Sequence, residues 1–298
     1  MGRLVRVDAE LVRRGLARSR AQAAELVTAG VVRVDGAVVT KAARQMDPAQ
    51  ALVVREAPED WASRGAHKLL GALDALGERA PVVAGRRCLD AGASTGGFTD
   101  VLLRRGAAHV VAVDVGYGQL VWRLRTDARV TVLDRTNVRT LTPQAVAPAP
   151  HLVTGDLSFI SLTLVLPALV AAAAPDADLL LMVKPQFEVG RELLGSGGVV
   201  RDPALHVRAV LDVAECAIGL GLAVRDVVAS PLPGPAGNVE YFVSMTRRDV
   251  ADALTGAALD DAARRAVAEG PAHTQPDTTL PTTTLPTTTL PVRQEAAP

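Results

Sequence analysis

The chain has 298 residues, 49% of them hydrophobic, and its 32 Lys and Arg balance 32 Asp and Glu. That length suits one large domain and a smaller one. The longest apolar run, 162–174, is shorter than the roughly 18 residues of a membrane span, the N-terminus lacks an apolar signal region, and two cysteines, Cys88 and Cys216, are too few for a disulfide framework or a cysteine metal site. The expectation is a cytoplasmic chain with no membrane segment and no metal.

Residues 1–60 read as a small α+β module. Its first 55 residues hold ten Lys and Arg against five Asp and Glu, a local excess that suits a polyanionic partner. Two short helices are predicted over 8–29, the second opened by a Ser19–Gln22 capping box and stopped at Gly30. A hairpin follows, 31–34 and 37–40 around Asp35-Gly36, then a turn at Asp47-Pro48, a β-rich run at 52–54 and a polar linker at 56–60.

From residue 61 to 250, short apolar runs alternate with helical patterns, which predicts βαβ units and a mostly parallel sheet covered by helices. Seven strands are expected, at 87–90, 109–115, 130–133, 151–156, 178–184, 223–229 and 239–245. The last two, joined by a Pro- and Gly-rich loop at 231–238, should form an antiparallel hairpin. A C-terminal helix is expected over 251–270. Residues 278–291 repeat Thr-Thr-Thr-Leu-Pro, and 271–298 are expected to be a disordered tail.

The segment from Cys88 to Phe98 reads Cys-Leu-Asp-Ala-Gly-Ala-Ser-Thr-Gly-Gly-Phe, a strand, a Gly-rich turn and a helix start. Gly92, Gly96 and Gly97 let backbone approach a ligand, with Ser94 and Phe98 in the same turn. Asp114 ends the next strand, where an acid commonly binds a ribose hydroxyl pair. The glycine spacing departs from the dinucleotide pattern, which argues against a nicotinamide oxidoreductase. Asp90, two positions before Gly92, suits instead the cationic methionine end of S-adenosylmethionine, and Asp134 or Asn137 lies where an adenine would be reached.

Only three of the 32 basic residues are lysines: Lys41, Lys68 and Lys184. Arg serves wherever a positive charge suffices, whereas a buried Lys can lose its proton and act as a base. Lys68 opens a helix whose Leu69, Leu70, Leu73 and Leu76 form an apolar stripe. Lys184 ends an apolar strand just before Pro185. Asp156 ends another strand, and Glu240 opens the last. Two lysines and two carboxylates in one cleft can balance one another and leave one lysine as the base that activates an alcohol beside a sulfonium methyl group. Which lysine serves stays open.

Taken in order, Arg6 to Arg20, Ser63-Arg-Gly-Ala-His-Lys-Leu69, Leu89 to Phe98, Asp114-Val-Gly-Tyr-Gly118, Asp156-Leu-Ser-Phe-Ile-Ser161, Val183-Lys-Pro-Gln-Phe-Glu188 and Gly237-Asn-Val-Glu-Tyr-Phe242 resemble the TlyA family, hemolysin-like rRNA ribose 2′-O-methyltransferases related to the FtsJ group. The resemblance implies a Rossmann-like methyltransferase behind an RNA-binding module like that of ribosomal protein S-four. It also implies a Lys-Asp-Lys-Glu catalytic set at Lys68, Asp156, Lys184 and Glu240. Its substrate would be cytidine ribose in small- or large-subunit rRNA within ribosomal subunits, methylated by a monomer. Arg3, Arg6, Arg14, Arg18, Arg20 and Lys41 would contact the RNA. The competing readings are a pseudouridine synthase, in which Arg87-Cys-Leu-Asp90 would be catalytic, an RNA-binding assembly factor with a vestigial cofactor site, and a pore-forming hemolysin, which nothing in the sequence supports.

Overall fold

The computed structural model describes residues 4–17, 19–28, 30–54 and 61–270. The expected linker at 56–60, the repeat tail, Arg3 and Arg18 lie outside them. The chain divides into two compact units, 1–63 and 64–298.

In the first unit, β1 (Val5–Arg6) leads into α1 (Val7–Arg13) and α2 (Arg20–Thr28), followed by β2 (Val32–Val34), β3 (Ala37–Val38), β4 (Gln45–Met46) and β5 (Leu52–Val54). Strand β2 lies between β3 and β5, both antiparallel to it, and β1 pairs with β4. The expected hairpin and capping turn are present: Gln22 N donates to Ser19 Oγ at 3.2 Å. The β1–β4 pair was not expected, because two-residue strands are too short to show alternation. Val7, Leu11, Val32, Val34 and Met46 form the core.

The second unit begins with α3 (Gly65–Leu76). There follow β6 (Arg87–Ala91), α4 (Gly97–Arg104), β7 (His109–Val113), α5 (Trp122–Arg125), β8 (Val130–Leu133), α6 (Pro143–Val146) and β9 (Leu152–Gly155). After these come α7 (Leu162–Ala172), β10 (Asp178–Val183), α8 (Pro185–Glu188), α9 (Pro203–Gly219), β11 (Ala223–Ala229), β12 (Tyr241–Thr246) and α10 (Gly256–Glu269). The seven expected strands form one sheet in the order β11-β12-β10-β9-β6-β7-β8. Strands β10, β9, β6, β7 and β8 run parallel, and β12 is antiparallel to both β10 and β11. All six residues of β10 are buried, which accounts for its unbroken apolar sequence: a strand with both faces covered shows no alternation. Each buried Leu of 179–181 contributes about 2 kcal/mol of burial.

Topology decides the location of the chemistry. The hairpin docks on β10 through β12, so the start of β12 lies beside the end of β10, with Val183 opposite Tyr241. Lys184 and Glu240 are the residues next outward from that pair. Asp156 follows β9, whose Gly155 is in register with Leu181, and Asp90 and Ala91 are in register with Thr154 and Gly155. Catalytic candidates and the Gly-rich loop therefore share one sheet edge, where open α/β sheets bind ligands.

Candidate active site

Two ion pairs form the centre. Lys68, on the first turn of α3, places Nζ 2.5 Å from Glu240 Oε2, 3.8 Å from Asp156 Oδ2 and 3.8 Å from Met182 Sδ. Lys184 Nζ lies 2.5 Å from Asp156 Oδ1 and donates to Ser158 Oγ at 3.1 Å. The lysines and Glu240 are buried, and Asp156, with its side chain 22% exposed, has the most solvent contact of the four. Two positive and two negative charges cancel, so each buried ion has a partner; removing one would leave its partner uncompensated, which costs several kcal/mol.

The two lysines differ in how they are held. Lys68 makes a short hydrogen bond to Glu240 and also faces Asp156 and a thioether. The Lys184–Asp156 pair is close but lacks hydrogen-bond alignment, leaving Ser158 as the aligned acceptor of Lys184 among the described residues. Lys184 thus has donor capacity directed away from its ion pair, and Lys68 is the more firmly anchored of the two.

Several supporting residues were not singled out from the sequence. A Cβ at Gly234 would come within 2.7 Å of Glu240 Oε1, so only glycine leaves room for that carboxylate. Gln186 Nε2 approaches the same oxygen at 3.4 Å. Asn238 fixes the segment ahead of α9, accepting from Val200 N at 3.0 Å and donating to Gly198 O at 3.1 Å. Phe159 is 91% exposed and has a left-handed φ of 63°, an uncommon backbone state that clusters at functional sites. Its ring centroid lies 5.2 Å from that of Phe187.

Glu188 joins the segments that carry Lys184 and Asp156. Its Oε1 accepts from Leu162 N at 2.9 Å and its Oε2 from Ser161 Oγ at 2.5 Å, so a residue four positions after Lys184 caps the helix that follows the Asp156 loop. Burial raises its pKa, opposed by the bonds from Ser161 and Leu162. Glu188→Ala is expected to lower kcat about 10- to 100-fold by loosening the 156–161 loop, and Glu188→Gln, which still offers an acceptor to Leu162 N, should stay within a few fold of the parent. Steady-state turnover checks this; equal losses in the two variants would remove the positioning role.

On the cofactor side, a Cβ at Gly92 would lie 2.8 Å from Asp156 O, so this glycine lets the loop pack onto the β9 end. Asp114 accepts from Ser94 N at 2.8 Å and Gly116 N at 2.6 Å, one bond per oxygen, and each oxygen keeps a lone pair for a ribose hydroxyl. Asp134 accepts from Arg125 at 2.7 Å, which lowers its pKa, and Asn137 accepts from Arg139 N at 2.9 Å.

Two expected cofactor contacts are placed differently. Phe98, on the inner face of α4, is 4% exposed and stacks on Phe242 at 6.0 Å, so it belongs to the core. Asp90 has no exposed surface: Thr99 donates to its Oδ2 at 2.6 Å, and its buried Oδ1 has no partner among the described residues. Burial pushes its pKa up to about 7. Arg87 is bound to the carbonyls of Val146, Ala147 and Pro148, which, with Asp90 sealed in, leaves no catalytic role for the Arg87–Asp90 segment and removes the basis of the pseudouridine synthase reading.

In the first unit Arg6, Arg20 and Lys41 are exposed, although Arg6 and Arg20 share Asp8 at 2.7 and 2.9 Å. Arg14 departs from expectation. It binds Glu10, Pro48 O and Gln50 O, an internal staple, while Arg13 and Arg14 together hold the Glu10 carboxyl down to about 2.

Among the described residues no helix is long and apolar enough to cross a membrane. A family model described as FtsJ-like methyltransferase matches residues 61–247, and an S4 domain model matches residues 5–50. The chain is 61% identical over 272 residues to the 16S/23S rRNA (cytidine-2'-O)-methyltransferase TlyA of Mycobacterium tuberculosis, a match covering 91% of this chain and 100% of that protein. It is 34% identical over 239 residues to Hemolysin A of Brachyspira hyodysenteriae, covering 80% of this chain and 98% of that one. A solved structure of a hemolysin-named protein from Streptococcus thermophilus superposes with a TM-score of 0.66 at 35% identity, covering 89% of this chain and 96% of that chain. The chain therefore belongs to the FtsJ-like methyltransferases, in the TlyA group, and carries an S4 domain ahead of its methyltransferase domain.

Proposed function

We propose that this chain transfers a methyl group from S-adenosylmethionine to the ribose 2′-hydroxyl of a cytidine in ribosomal RNA. The observation that carries the reading is the charge-balanced set of Lys68, Glu240, Lys184 and Asp156, three of them buried, beside a glycine loop whose Ser94 N–H donates to Asp114. The activity named for the Mycobacterium tuberculosis relative supports the substrate.

The residues present fit the cofactor. The loop at Gly92 has no room for a side chain, and Asp114 is aimed with acceptor capacity to spare. When bound, S-adenosylmethionine supplies an electrophilic methyl group on a cationic sulfur. Lys184 would take up the 2′-hydroxyl proton as the oxygen attacks, its own ammonium proton having first left to solvent past Asp156. Asp156 steadies the resulting ammonium and, as the most solvated member of the set, offers the proton a way out. Lys68 keeps Asp156 in place while Glu240 balances the Lys68 charge, and their burial strengthens these interactions. The exposed Arg6, Arg20 and Lys41 of the S4 domain, together with Arg3 and Arg18 outside the described residues, would contact phosphates of a ribosomal subunit, a positioning contribution independent of sequence.

Purified protein with labelled S-adenosylmethionine and unmethylated ribosomal subunits should yield labelled 2′-O-methylcytidine. Cofactor binding without transfer to either subunit would replace this reading with that of an assembly factor.

A further inference from the structure

The second unit carries a basic and aromatic surface that the chemistry above does not use. Between residues 115 and 140 lie five arginines (123, 125, 129, 135 and 139) against two acids, Asp127 and Asp134, whereas the rest of 61–250 holds 14 Lys and Arg against 16 Asp and Glu. Positive charge within 61–250 is therefore concentrated in this segment. Aromatic residues make up only 3% of the chain, yet this segment exposes two: Trp122 at 76% and Tyr117 at 66%. The guanidinium of Arg135 stands 4.3 Å over the Tyr117 ring. Tyr117 and Trp122 line an open cleft of about 470 Å³ with Gln119 and Arg125. Arg135 and Arg139 are exposed, and neither has a carboxylate partner among the described residues.

Exposed rings cost solvation unless something covers them, and Arg135, unpaired over the Tyr117 ring, favours an anionic cover. Flat faces for bases, cations for phosphates and an open cleft together match unpaired RNA better than a duplex, whose bases are already stacked. We propose that Trp122 and Tyr117, with Arg135 and Arg139, hold a single-stranded segment of the substrate RNA flanking the target nucleotide. The inference rests on the proposed rRNA methyltransferase function and adds to it a second RNA contact, on the methyltransferase domain itself. The patch follows Asp114 directly in sequence, so RNA held there would lie on the cofactor side of the sheet edge.

The chain has two tryptophans, Trp61 and Trp122, so in a Trp61→Phe background, excited where tyrosine does not absorb, Trp122 is the sole emitter. Its fluorescence should be quenched by a single-stranded cytidine-rich 12-mer and much less by the same strand in a duplex, with S-adenosylhomocysteine alone having little effect. In the full chain, Trp122→Ala should raise KM for unmethylated ribosomal subunits about 5- to 50-fold, as loss of one stacked base implies, with kcat within about twofold and cofactor affinity unchanged. Trp122→Phe should behave as the parent. If wild-type chain transfers methyl groups while Trp122→Ala leaves KM unaltered, the patch is not an RNA contact and the function stands. Quenching by S-adenosylhomocysteine alone, with lost cofactor affinity in Trp122→Ala, would make the patch a cofactor cover instead. A wild-type chain that transfers nothing overturns the functional reading, and this inference with it.

Discussion

Lys184→Ala is expected to lower methyl transfer by about 10²- to 10⁴-fold, the range that general-base catalysis supplies, while leaving S-adenosylmethionine affinity within about threefold, because the cofactor loop lies on other strands. Removing the ammonium also leaves Asp156 without its 2.5 Å partner; with a side chain 22% exposed, that carboxylate can turn to water, so folding should survive. Lys184→Arg is the sharper test. Arginine preserves the charge and can reach Asp156, but it does not deprotonate at any working pH. If Lys184 is the base, the Arg variant is as inactive as the Ala variant, with intact thermal stability and intact cofactor binding by titration calorimetry. If Lys184 merely balances charge, Arg restores a substantial part of the rate, and the role passes to Lys68. In a chain that uses arginine for almost every positive charge, this substitution separates the two roles of lysine with little other disturbance.

The four charged residues of the candidate site were legible in the sequence because each ends or begins an apolar run, and the parallel topology brings such ends to a single edge. Lys184 and Asp156 are found from strand ends alone. The pairing of Lys68 with Glu240 is not, because the contact spans 172 positions and depends on which member of the final hairpin docks on β10. Had β11 taken that place, Glu240 would lie one strand further from Lys184. The supporting residues were harder still. Gly234 looks like any turn glycine until the Glu240 carboxylate fills the space a side chain would need, and Glu188 looks like a solvated helix-end acid until α7 is laid against it.

The misplaced residues share a physical cause. Phe98 and Asp90 lie in the cofactor motif, but a tight strand–turn–helix unit must turn some of its side chains inward to pack, and motif reading does not say which. Arg14 was counted as surface charge, yet buried Glu10 and two nearby carbonyls needed a donor. The exposed Phe159, Tyr117 and Trp122 are the converse: aromatic residues that hydrophobic patterning assigns to cores, left in solvent at the ligand edge.

Asp90 provides the largest expected effect of pH on stability. Its carboxyl ionises at about 7 in the folded chain against 3.8 when unperturbed, chiefly because burial disfavours the charge. A carboxyl whose folded pKa is raised binds its proton more tightly in the folded state, so its contribution is most favourable below the unfolded pKa and is lost as pH rises toward the folded one. Between about pH 4 and pH 7 stability should fall by about 1.4 kcal/mol per unit, about 4 kcal/mol in all, and then level off. In Asp90→Asn this fall is absent. The Asn carbonyl can still accept from Thr99, while its amide occupies the position where Oδ1 has no partner, adding a cost that does not vary with pH. Urea unfolding of parent and variant at pH 5 and pH 8 separates the two contributions: the offset common to both pH values reports the fit of the amide, and the change in the difference reports the charge. The variant should gain on the parent by about 3 kcal/mol from pH 5 to pH 8, and a pH-independent difference would show that Asp90 is ionised throughout. The same titration bears on function, since a carboxyl neutral below pH 7 presents no charge to a cationic methionine end. Cofactor affinity in the parent should therefore rise between pH 6 and pH 8 if Asp90 acts on the ligand through its field, and in Asp90→Asn that rise should disappear.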